Sequence, residues 1–192
     1  MKNIAIFVSG TGSNARKIIE YFQGHSSIQC TLLISNKASA LALEMAKEKG
    51  LDTLVLKRKS FYEETVLLDA LAEASIDFIV LAGFLWLVPD YLVKAYPQKI
   101  VNIHPALLPK YGGKGMYGHH VHQAVKDKQE TESGMTIHYV NEHYDEGAII
   151  FQASCTIDPD DSAETIGKKV LQLEHLHFAP QIEKVLMAQN NL

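Results

Sequence analysis

Asn102 and His104 lie two positions apart in the stretch Ile100-Val101-Asn102-Ile103-His104-Pro105-Ala106-Leu107-Leu108-Pro109. In extended backbone, residues i and i+2 share a face, so an amide and an imidazole point the same way. The apolar residues Ile100 and Val101 read as a buried strand end. Pro105 and Pro109 supply no backbone donor and fix φ, so the strand stops there. A neutral N–H donor can stabilise negative charge developing on an oxygen, and a neighbouring imidazole can move a proton or supply positive charge. Asp145, in the segment Glu142-His143-Tyr144-Asp145-Glu146-Gly147, is a candidate partner, because a carboxylate beside an imidazole stabilises its charged form. Sequence spacing alone does not bring Asp145 to His104. A His-Pro at a strand end and an Asp in a turn also have purely structural readings.

A second polar stretch, Ser9-Gly10-Thr11-Gly12-Ser13-Asn14, follows an apolar run and precedes helical spacing. Such a turn lets backbone N–H groups approach an anion, and the helix dipole favours negative charge there. The pattern is Gly-x-Gly-x-Asn, neither the Gly-x-Gly-x-x-Gly of dinucleotide sites nor a P-loop with its Lys-Ser/Thr. The second strand ends in Asn36-Lys37, with no acid for ribose hydroxyls. A phosphate monoester is therefore favoured over NAD, and a structural turn stays open. His119-His120-x-His122 tempts a metal reading. The first two face apart on a helix, and no cysteine or carboxylate cluster joins them, so no metal is expected. There is no Gly-x-Ser-x-Gly, and neither cysteine has an evident base, so nucleophilic catalysis is not expected.

The elements that must position these groups alternate. Residues 2–8 form a strand, 15–22 a helix, 29–35 a strand and 38–49 a helix closed by Gly50. Residues 51–56 are a third strand. Residues 60–75 are a helix with a Ser60/Glu63 capping box. A strand at 76–82, a helix at 89–96 opened by Pro89 and a strand at 99–103 complete the series. Five strands interleaved with helices predict an α/β fold with a doubly wound, mostly parallel sheet. In such sheets ligands sit beyond the carboxyl ends of strands near the switch point. The segments 9–14, 83–88 and 102–109 all fall at such ends. Residues 110–118 (Lys-Tyr-Gly-Gly-Lys-Gly-Met-Tyr-Gly) hold four glycines and read either as a lid or as a flexible connection. A helix over 119–128 follows. Strands at 134–141 and 148–157 form an antiparallel C-terminal pair. A final helix is capped by Asp161 with Glu164 three residues on, and Pro180 is expected to kink or split it.

Composition bounds the function. With 47% apolar and 21% charged residues the chain reads as an ordinary globular protein. A net charge of −4 without a basic block argues against broad nucleic-acid binding. No run approaches the roughly 20 apolar residues a membrane span needs, and the run 4–8 is too short for a signal segment. Cys30 and Cys155 sit in apolar stretches and are expected reduced and buried, as in a cytoplasmic protein.

Taken in order, Ser9-Gly10-Thr11-Gly12-Ser13-Asn14, Ser35-Asn36-Lys37, Leu81-Ala82-Gly83-Phe84, Asn102 to Pro109 and Asp145-x-Gly147 resemble the folate-dependent formyltransferases. The resemblance runs from about residue 2 to residue 186, and Ser-Gly-x-Gly-Ser-Asn narrows it to the glycinamide ribonucleotide branch. It implies a single Rossmann-like domain over 1–192, with a phosphate-binding half at 1–100 and a catalytic, folate-binding half at 101–192. It implies an enzyme of de novo purine synthesis that moves the formyl group of 10-formyltetrahydrofolate, a co-substrate, to the amine of glycinamide ribonucleotide. No metal or NAD is implied. Asn102, His104 and Asp145 match the family's catalytic trio, with His104 kept cationic by Asp145. Gly12, Ser13 and Asn14 match residues holding the ribonucleotide phosphate, and Gly83 and Glu174 match contacts to the same substrate. Leu85, Trp86, Leu87, Val88, Asn141, Glu142, His143, Tyr144 and Asp145, with Asn102, match the folate pocket.

Two positions depart from the pattern: some members carry Arg where Trp86 and Glu64 stand. The loop 111–119 is also longer and richer in glycine, with Lys114 in it. A tRNA-formylating relative would be expected to add a C-terminal tRNA-binding domain and basic surface. A formyltetrahydrofolate hydrolase would add an N-terminal regulatory domain. A nucleotide-binding module without catalysis would leave Asn102, His104 and Asp145 idle. Monomer and homodimer both stay open.

Overall fold

Ile4, Ile6 and Val8 leave the first strand on one face and Ala5 and Phe7 on the other, and all five are fully buried. A strand apolar on both faces must lie inside a sheet covered by helices on both sides. The computed structural model describes residues 1–63 and 65–189. Glu64, one of the two departing positions, lies outside the described residues. The strands are β1 (Lys2–Val8), β2 (Ile28–Ser35), β3 (Asp52–Val55), β4 (Phe78–Leu81), β5 (Ile100–His104), β6 (Glu132–Tyr139) and β7 (Ile149–Thr156). They form one sheet in the order β3-β2-β1-β4-β5-β6-β7. β1 to β5 run parallel, and β6 and β7 pair antiparallel at one side. The strand order reverses between β1 and β4, which places the switch point beside the Ser9 turn and Gly83.

Two apolar layers cover the sheet. On one face α1 (Ser13–Phe22), α2 (Leu41–Glu48), α6 (His119–Asp127) and α7 (Ala163–Gln189) bury Ile18, Met45, Val125 and Val170 against Ile4, Ile6 and Val8. On the other α3 (Arg58–Glu63), α4 (Val66–Glu73) and α5 (Asp90–Ala95) bury Phe61, Leu71 and Leu92 against Ala5 and Phe7. Among the described residues no helix is long and apolar enough to cross a membrane.

Local differences from the sequence reading have local causes. The helix expected over 60–75 is two helices, α3 and α4, and Ser60 lies inside α3 rather than at its cap. The last helix is capped by Ser162, whose Oγ accepts the Thr165 N–H at 3.1 Å. Asp161 instead accepts the Asp158 N–H and Lys169. Pro180 does not split α7, which runs 27 residues through it. The carbonyl that Pro180 cannot serve belongs to Leu176, whose side chain is 65% exposed, so the missing bond falls on the outer side of the helix. Cys30 and Cys155 are free but only half-buried, packed against the edge of the core.

Candidate active site

The β5–β6 register assembles the polar centre. Asn102 stands opposite His138 and His104 opposite Thr136, so the side chains facing one way from β5 meet those facing the same way from β6. The turn between β6 and β7 then delivers Asp145, which sits in the left-handed region at φ 58°. Asp145 Oδ2 lies 3.4 Å from His104 Nδ1, and Oδ1 lies 3.6 Å from His138 Nε2. Asn102 Nδ2 is 3.1 Å from His138 Nε2 and 3.5 Å from Asp145 Oδ1. Thus the three residues read from sequence as a trio do converge.

Proton positions follow from the fixed acceptors. His138 Nδ1 is 2.8 Å from the Tyr139 carbonyl. A carbonyl only accepts, so Nδ1 carries hydrogen. His104 Nε2 is 2.8 Å from the Tyr111 carbonyl and must likewise carry hydrogen. Gly113 N–H donates to Asp145 Oδ2 at 2.9 Å, so the loop after β5 touches both members of the His104–Asp145 pair. Gly112 makes that approach feasible: a Cβ there would meet Leu108 Cδ2 at 2.6 Å and Asp145 Cβ at 3.3 Å.

The charge state differs from what the resemblance implies. Burial lowers the His104 pKa, and His138 adds to the effect, against the opposing pull of Asp145 and the Tyr111 carbonyl. Burial also pushes the Asp145 carboxyl up, but His138, His104 and the Gly113 N–H outweigh it and hold the carboxyl below its ordinary value. Desolvation thus weights the pair toward a carboxylate beside a neutral imidazole. Asp145 alone does not keep His104 cationic, because desolvation costs the charged ring more than its neighbours return.

Across the site, Gly12 opens α1 at φ 76° with no side-chain cap, leaving first-turn N–H groups free for an anion. A Cβ on Gly12 would meet Ala42 Cβ at 2.6 Å, so the turn needs glycine for packing as well as for φ. Asn14 Nδ2 donates to Glu174 Oε2 at 2.6 Å. Asn14 Oδ1 is buried and unpartnered among the described residues, a vacant acceptor for a ligand donor. Burial raises the Glu174 carboxyl to about 7, against the lowering bond from Asn14.

A cavity of about 690 Å³ joins these parts. Asn14, Gly83 and Glu174 line it together with Asn102, His104 and Asp145 and with the apolar residues Leu85, Trp86, Leu87, Val88 and Val140. Asn141, His143 and Tyr144 also reach it, as do Lys114 and the rest of 113–118, but Gly12, Ser13 and Glu142 do not line it. Trp86 stacks among Phe61, Tyr62 and Phe84, with ring centroids 5.4, 6.0 and 6.2 Å away. Arg58 Cζ lies 5.5 Å from the Trp86 centroid. A guanidinium thus reaches this rim from α3 rather than from position 86. Among the described residues no three His, Cys, Asp or Glu gather as a metal-holding group. His119 and His122 line the cavity instead.

Sequence reasoning missed His138, the Tyr111 carbonyl and the Gly113 N–H. The alternation of β6 carried a signal for His138, since it falls in phase with Thr136 once β5 and β6 are set side by side. Backbone donors and acceptors leave no mark in residue type.

A family model described as formyl transferase matches residues 2–182. A phosphoribosylglycinamide formyltransferase of Arabidopsis thaliana, named as chloroplastic, is 43% identical over 180 residues, covering 91% of this chain and 62% of that protein. The Haemophilus influenzae protein of the same enzyme name is 36% identical, covering 91% of this chain and 82% of its own length. A crystal structure of phosphoribosylglycinamide formyltransferase from Bacillus halodurans superposes with a TM-score of 0.89 at 34% identity, covering 100% of this chain and 98% of that one. The chain spans less than two thirds of the length of the Arabidopsis relative.

Proposed function

Because the chain belongs to the formyl transferase family, we propose that it transfers the formyl group of 10-formyltetrahydrofolate to the amine of glycinamide ribonucleotide. The products are formylglycinamide ribonucleotide and tetrahydrofolate, a step of de novo purine synthesis. The observation that carries this reading is that Asn102, His104 and Asp145 share one cavity with Asn14 and Glu174 and with the apolar side chains Leu85 to Val88. A transferase needs two substrates to meet at one polar centre, and a non-catalytic nucleotide module does not.

The chain's own groups fit both partners. Backbone N–H groups at Gly12, Ser13 and Asn14 take the phosphate, and Asn14 and Glu174 meet the polar body of the ribonucleotide. Leu85 to Val88, with Trp86 in its aromatic stack, take a planar ring system, and the backbone there supplies its polar contacts. We read residues 1–100 as the half that holds phosphate and 101–192 as the half that holds folate and performs the chemistry. Two free cysteines suit a reducing compartment, and we assign the chain to the cytoplasm.

In the reaction, the amine attacks the formyl carbon and negative charge grows on the formyl oxygen. The second N–H of Asn102 is held loosely by Asp145, at 3.5 Å, and can turn to that oxygen. His104 Nδ1 lies in ion-pair range of Asp145, 3.4 Å away, beyond an ordinary hydrogen-bond distance. It accepts the proton released by the attacking amine, and the growing negative charge together with Asp145 stabilises the resulting imidazolium. The proton then passes to the leaving nitrogen. A tetrahydrofolate-release assay with and without glycinamide ribonucleotide tests the reading. Release must depend on the amine acceptor; equal release without it would make the chain a hydrolase.

A further inference from the structure

The loop that follows β5 does more than line the cavity. Tyr111 aims its carbonyl at His104 Nε2, 2.8 Å away. To do so it holds φ at 57°, a left-handed conformation that residues with side chains adopt rarely and at a cost. The side chain secures that conformation. The Tyr111 phenol donates to Glu130 Oε1 at 2.8 Å, and Lys110 Nζ bonds the same oxygen at 3.0 Å. Glu130 follows α6, so a carboxylate outside the catalytic centre fixes the backbone atom that fixes the ring.

We propose that Tyr111 and Glu130 are positioning residues for His104: the phenol–carboxylate pair locks the Tyr111 carbonyl, which keeps hydrogen on Nε2 and leaves Nδ1 as the exchanging nitrogen. This rests on the formyl-transfer reading only for its kinetic consequence. The groups facing His104 are Asp145 from the β6–β7 turn, His138 on β6 and His122 on α6, besides the Tyr111 carbonyl. Asp145 and the carbonyl favour the charged ring, while His138 opposes it. Of these, the carbonyl is the atom that the Tyr111–Glu130 pair fixes directly, while Gly113 of the same loop reaches Asp145 Oδ2. That pair persists at neutral pH, because Lys110 and Tyr111 lower the Glu130 carboxyl while burial and Glu130 raise the Tyr111 phenol to about 12.

Tyr111→Phe deletes one oxygen, Glu130→Ala deletes the acceptor, and Glu130→Gln retains an oxygen that can accept. Imidazole titration followed by NMR in the ligand-free protein reads His104 directly, and steady-state kinetics read the consequence. Tyr111→Phe and Glu130→Ala should each move the His104 titration to lower pH. Each should reduce kcat roughly five- to tenfold, the scale of one lost hydrogen bond, with both KM values held within about twofold. Glu130→Gln should restore most of the loss, and the double variant should be no worse than the poorer single one. An unmoved His104 titration in both variants, losses confined to KM, or multiplying losses in the double variant would overturn the proposal. If the wild-type protein transfers no formyl group, the functional reading fails, while the titration still decides the role of Tyr111 and Glu130.

Discussion

The Asn14 amide donates to the Glu174 carboxyl at 2.6 Å, joining residues 160 positions apart. The bond ties the first turn of α1 to α7, and both residues line the cavity. Glu174 is 7% exposed, and the amide is its sole hydrogen-bond partner among the described residues. Desolvation therefore dominates its ionisation.

This carboxyl makes stability fall as pH rises. Burial raises its pKa from 4.5 to about 7, so between those values the folded chain holds a proton that the unfolded chain has released. Stability from this group is full below pH 4.5 and is lost progressively up to about 7. The loss is about 3 kcal/mol at most. Urea unfolding from pH 4.5 to 8 should show this slope in wild type and not in Glu174→Gln. Parallel curves for the two proteins would remove Glu174 as its source.

Asp145→Asn retains the shape of the turn and loses the charge between His104 and His138. Turnover should fall by roughly 10²–10⁴, the usual weight of general acid–base catalysis. Calorimetric titration should find ribonucleotide affinity nearly unchanged, because among the described residues Asp145 has no hydrogen bond or ion pair to the Gly12–Asn14 turn proposed to hold the phosphate. Turnover at the wild-type rate would exclude Asp145 from the mechanism.

Gly12→Ala must place a methyl 2.6 Å from Ala42 Cβ at φ 76°. The expected loss of stability is about 1–3 kcal/mol, seen as a lower urea midpoint. Adding Ala42→Gly should return the part due to the clash and leave the part due to φ. No recovery in the pair would mean that strain at φ accounts for the whole cost.

Trp86→Ala opens the aromatic stack on the apolar wall and takes away the ring beneath Arg58. The KM for the folate substrate should rise roughly five- to tenfold, since stacking on a planar ring is worth about 1 kcal/mol. The KM for the ribonucleotide should stay put. An equal rise in both would show that Trp86 supports the whole cavity rather than one wall.

The alternation of apolar runs with helical spacing dictated the parallel sheet, because a strand buried on both faces has few other solutions. The same pattern put 9–14, 83–88 and 102–109 at strand ends, where a doubly wound sheet gathers ligands. The Asn102–His104 spacing was legible for the same reason: a period of two is a property of extended backbone. Tertiary structure alone decided that Asp145 reaches His104, since that depends on β6 pairing antiparallel with β5 and on one turn at φ 58°. It also decided His138, the Tyr111 carbonyl and the Gly113 N–H, whose roles come from register and backbone direction. The charge on His104 lay further still from the sequence. It is a balance between desolvation and neighbouring acceptors, and burial depth exists only once the chain has folded.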